Sequence, residues 1–150
     1  CDVSHVNSNF QIESNEKENN MNLKLVFRIF AGIIAVFALG ALLAPDAMTE
    51  SYGITLTDGA KLIMQFTVII QLMIVIIVWQ LPSWLGDDLA KAGPTMIVVS
   101  LLPVVMNIYH VVIGALPASG AQIVESGIWI VFAGLFYFYS KGKPESVDTP

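Results

Sequence analysis

Four side chains hold most of the chemistry available to this chain, and all four sit inside apolar runs: Gln65, Asn107, His110 and Glu125. A charged side chain in hydrocarbon is costly, so an intramembrane Glu or His faces a bundle interior or a water-filled cavity and marks a candidate site. The chemistry this pair supports is proton-sensitive binding of a ligand or ion. Burial disfavours both charged forms, whereas contact between the two would favour them, and the sequence leaves that balance open. The plainer alternative is that each residue reaches headgroup water or makes one structural hydrogen bond.

The supply of residues bounds other chemistries. A zinc site takes three or four protein ligands, and His110 with Glu125 gives two. One intramembrane His cannot supply paired haem ligands within one chain, although a symmetric dimer could. Ser100 and Ser119 have no His and acid beside them for a nucleophilic triad, and Gly86 and Gly93 are isolated connectors, unlike a phosphate-cradling loop. Cys1 is the only cysteine, which excludes an internal disulfide and a paired-thiol redox centre. No catalytic set emerges and no cofactor is indicated.

These residues need scaffolding, and four apolar runs provide it: Leu23 to Ala44, Ala60 to Leu81, Thr95 to Leu116 and Ala121 to Tyr139. About 20 residues of helix cross a hydrocarbon core of roughly 30 Å, and these runs are too long and continuous for barrel strands. Hydrophobic residues make up 55% of the chain and charged residues 13%, so the lipid bilayer is the expected main solvent. The predicted fold class is all-α, an integral membrane up-down four-helix bundle with short loops joining antiparallel neighbours. Residues 1–20 read as a polar, disordered arm, 21–140 as the transmembrane domain and 141–150 as a polar tail. Met21 reads as a possible true start, and Cys1 as a less favoured candidate for lipid attachment. The net charge of −5 and the lack of clustered Lys and Arg argue against nucleic acid.

Charge sets the threading. Lys17, Lys24, Arg28, Lys91, Lys141 and Lys143 fall on one side and Lys61 alone on the other, which predicts both termini cytoplasmic. Trp79, Trp84, Tyr137 and Tyr139 then gather at the cytoplasmic interface. With about 1.5 Å rise per residue, Gln65, His110 and Glu125 each lie roughly 7–8 Å from mid-span toward the outside, with Asn107 slightly deeper. Arg28 belongs to the opposite half. Gln71, near mid-bilayer, reads as an interhelical hydrogen-bond donor.

Local signals place the helix ends. Pro45 ends the first span, Thr57 or Asp58 caps the second, Pro82 ends it, Pro94 suits a first turn, and Ser119 with Gln122 fits a capping box. Ser100, Pro103, Asn107, His110 and Gly114 form a polar and small stripe that must avoid lipid, with a kink expected at Pro103. Ala31, Gly32, Ala35 and Ala38 predict a close-packing side on the first span. On the fourth, Gly127 and Gly134 lie on one face and Glu125, Trp129, Phe132 and Phe136 on another; the glycine face reads as the packing seam.

Leu43-Ala44-Pro45, Tyr52-Gly53-Ile54 and Asn107-Ile108-Tyr109-His110 together resemble motifs of small four-span proteins in the DoxX-like group, over approximately Leu23 to Ser140. That resemblance implies a compact bacterial inner-membrane protein, and some members of the group are associated with quinone-linked oxidoreductase assemblies. It supplies no catalytic residues. The leading expectation is a non-catalytic membrane subunit or small-ligand binding protein using Gln65, Asn107, His110 and Glu125, with a membrane-protein partner or a second copy of itself. The alternatives are a proton-coupled transporter or channel acting as an oligomer, and an accessory subunit of a quinone-linked oxidoreductase.

Overall fold

The computed structural model describes residues 3–141, with side chains from residue 20 onward. Cys1 and most of the expected tail lie outside the described residues. Helix α1 runs Val3–Leu43, α2 Pro45–Glu50, α3 Asp58–Leu85, α4 Gly93–Val112 and α5 Gly120–Ser140, with a 3-10 helix at Gly86–Ala92 between α3 and α4. The described residues are helical apart from turns and short connections.

Most ends obey the local chemistry. Pro45 opens α2 after α1 stops, the Thr57 hydroxyl accepts from the Ala60 N–H, and Ser119 and Gln122 form a reciprocal capping box. Three boundaries differ from expectation. Helix α3 continues through Pro82 to Leu85, and α1 reaches back to Val3 across the arm predicted to be disordered. No Pro or Gly occurs before Gly32, so nothing halts the helix once the apolar segment has nucleated it. Helix α4 ends earlier than the apolar run does. Gly114 adopts φ +70°, and the His110 carbonyl accepts from the Ala115 and Leu116 N–H groups at 2.9 and 3.2 Å, closing the helix end.

Three antiparallel seams organise the molecule: α1 with α3, α1 with α5, and α4 with α5. On α1, Ala31 and Ala38 are fully buried, as their small-residue stripe predicts. Ala38 and Ala41 pack on Val68 of α3. Phe27 meets Phe136 edge-on at 5.0 Å, while Phe30 contacts Trp129, Phe132 and Phe136 at 5.6, 5.1 and 5.3 Å. The expected glycine seam on α5 is therefore overturned. Its aromatic face is buried and Gly127 and Gly134 are exposed, because rings bury far more area than glycine can.

The predicted sequential packing also fails at one step, since α3 and α4 share no extended seam. Their connector explains this. Seven residues of 3-10 helix rise about 14 Å, more than the 8–10 Å between packed helix axes. The connector runs under the molecule, with Leu89 fully buried, and touches α1, α3, α4 and α5. The helices thus lie in the order α3, α1, α5, α4, with α3 and α5 flanking α1.

Three continuous stretches are long and apolar enough to cross a bilayer: Asn20–Leu43, Asp58–Val112 and Gly120–Ser140. The second spans 55 residues and contains both α3 and α4. Large apolar side chains cover the outside; on α3 these include Ile63, Phe66, Ile70 and Ile76.

Candidate functional site

Glu125 lies on the second turn of α5, aimed at the space between α5 and α3. Its Oε1 accepts from the Trp129 indole N–H at 3.2 Å, one turn further along the same helix. Its Oε2 accepts from the Tyr52 hydroxyl at 2.8 Å. Tyr52 comes from the tight turn after α2, where the Tyr52 and Ile54 N–H groups both donate to the Thr49 carbonyl. Gly53 adopts φ +75°, and a Cβ there would come within 2.9 Å of Pro117 in the α4–α5 loop. Glycine is thus required both for the turn and for the close approach of the two loops. Burial, followed by the hydrogen bond to Glu125 and that residue's negative charge, pushes the Tyr52 phenol well above the usual tyrosine range.

Beside Glu125 is a cavity of about 190 Å³. Ile34, Phe37 and Ala41 of α1 line one side, Met64, Val68 and Gln71 of α3 another, and Glu125 and Trp129 of α5 a third, with Met48 and Thr67 completing the wall. For scale, an apolar cavity of about 150 Å³ accepts a benzene molecule. The space exists because α3 and α5 both pack on α1 without packing along each other. Gln71 has its Oε1 buried without a hydrogen-bond partner, while the Thr67 hydroxyl donates to the Ile63 carbonyl at 3.1 Å.

Comparison with family models, curated proteins and solved structures finds no match. The site is therefore read from its own geometry.

The four residues singled out from sequence do not converge on one cavity. Glu125 lines it. Asn107 instead donates to the Ser126 hydroxyl at 3.3 Å, within the α4–α5 seam. His110 is half-buried near the end of α4, its ring 5.7 Å from that of Tyr109. Gln65 is exposed, although its neighbours Met64 and Val68 line the cavity. The polar stripe of α4 does turn inward at Ser100, which is fully buried with its hydroxyl bonded to the Met96 carbonyl at 2.7 Å. Sequence reasoning missed Tyr52 as a partner of Glu125 and Gln71 as a cavity residue. The i, i+4 spacing of Glu125 and Trp129 was the available signal for their hydrogen bond; Tyr52 offers none, because its loop meets α5 only through the tertiary fold.

Proposed function

We propose that this chain is a four-span integral membrane protein, with both termini cytoplasmic, that binds a small ligand in the cavity beside Glu125 and does no chemistry on it. The cavity itself carries this reading: a ring-sized, mostly apolar space with one carboxylate and one unpartnered amide oxygen is typical of a binding site, where few polar groups orient a ligand. Membrane immersion is supported by the apolar exterior, which would be an aggregation liability in water. Sidedness draws support from the distribution of cations. Arg28 lies 5.7 Å from the centre of the Trp79 ring and Lys141 lies 4.4 Å from that of Tyr137, both at the proposed cytoplasmic end. At the other end Lys61 is paired with Asp46 at 2.8 Å.

Native mass spectrometry of the protein released from its own membranes tests the binding reading. A small molecule should be retained by wild type and lost in Ala41→Phe, which fills the cavity; retention in both would reject it. Single cysteines at Thr55 and Ser83, in a Cys1→Ser background, test threading: only Thr55→Cys should label from outside intact cells. A proton-coupled transporter would show proton-dependent flux in vesicles that Glu125→Gln abolishes, and a binding protein would show none.

A further inference from the structure

We infer that the cavity beside Glu125 takes a small organic cation, an ammonium group carrying methyl or methylene substituents; the inference rests on the small-ligand reading above. Charge is the first argument. Among the described residues the Lys and Arg ion pairs are Lys61 with Asp46 and Lys91 with Asp88, and neither involves Glu125. Among the described residues its carboxylate has two hydrogen-bond donors but no counter-charge. Glu125 is part-buried, and an acid in a membrane-spanning segment commonly pairs with a group of opposite sign.

The rest of the wall selects the kind of cation. The protons of the Trp129 indole and the Thr67 hydroxyl in the wall, and of the Tyr52 hydroxyl behind Glu125, are already donated, while Gln71 Oε1 is a buried acceptor without a donor. An anion would meet the Glu125 carboxylate here, with the Gln71 amide N–H group as the remaining side-chain donor. Phe37 and Trp129 both border the space, their rings 6.1 Å apart and tilted by 32°, and electron-rich ring faces attract alkylammonium groups. A hard metal cation is a poorer fit, because calcium takes 6–8 oxygen ligands and most of this lining is carbon or thioether. At about 190 Å³, the volume suits an ion the size of tetramethylammonium.

The test titrates the detergent-purified, full-length protein with tetramethylammonium chloride and, separately, with tert-butanol, a neutral molecule of similar shape, at constant sodium chloride. Tetramethylammonium should bind saturably and at least about tenfold more tightly than tert-butanol. Glu125→Gln should erase that preference while leaving tert-butanol binding unchanged. Phe37→Leu, which keeps the carboxylate and its hydrogen bonds, should weaken tetramethylammonium by about threefold or more and spare tert-butanol. Equal binding of the two probes overturns the cation assignment and leaves the small-ligand reading intact. Binding of neither overturns both.

Discussion

The Tyr52 hydroxyl donates to Glu125 Oε2 at 2.8 Å across 73 residues of sequence, tying the turn after α2 to the second turn of α5. This bond holds one oxygen of a carboxylate that lines the cavity. Tyr52→Phe keeps the ring and removes the donor, so its expected cost is about 1.5–3 kcal/mol, the range for a hydrogen bond to a charged group. Thermal unfolding in detergent gives that cost. Hydrogen exchange should rise at Thr49 to Ile54, and unchanged exchange there would mean that Gly53 and Pro117 hold the turn unaided.

The same phenol sets a pH dependence. Its folded value is raised above the ordinary 10.0, so the stabilising contact is fully present below pH 10.0 and is lost as pH rises through the shifted value. Wild type should therefore lose stability relative to Tyr52→Phe from about pH 10 upward. The tyrosinate absorbance of wild type minus Tyr52→Phe should appear above the range of an ordinary tyrosine. In Glu125→Gln the shift should shrink and persist in part, since burial is its largest cause.

A third expectation concerns the seam of α4 and α5. A Cβ on Gly93 would collide with the Ser140 side chain, so Gly93→Ala should destabilise by about 1–3 kcal/mol. Ser140→Gly should restore most of that loss in the double variant. A coupling energy near zero in the four-member cycle would contradict the contact.

Gly127 and Gly134 give the opposite case. Nothing lies within 4 Å of a Cβ built at either, so changing each to Ala should raise stability by about 0.5–1 kcal/mol through helix propensity alone. Destabilisation, read by melting in detergent, would show that another chain covers this face.

Much of the local structure is legible in the sequence because caps and small-residue stripes act over one or two turns. Thr57, Ser119 with Gln122, and Ala31 with Ala38 behave as their types and spacing require. The order of helices is less legible. A seven-residue connector permits adjacency of α3 and α4 without enforcing it, and the aromatic face of α5 draws α1 instead. For the site, Glu125 stands out as an acid in an apolar helix. Equal depth groups it with Gln65 and His110, but depth ignores rotation about each helix axis. Gln65 turns outward, Asn107 turns to Ser126, and the hydroxyl that reaches Glu125 comes from a loop with no periodicity to read.

Packing is shared unevenly along the length of this molecule. Interlocked rings of Phe27, Phe30 and Phe136, with Leu89 beneath, clamp one end, whereas beyond Phe37 the α1–α3 seam closes on Ala38, Ala41 and Val68 beside a void. Rotation about the clamped end displaces atoms in proportion to their distance from it, so a slight splaying of α3 from α5 widens the half holding Glu125 while the ring-packed half stays shut.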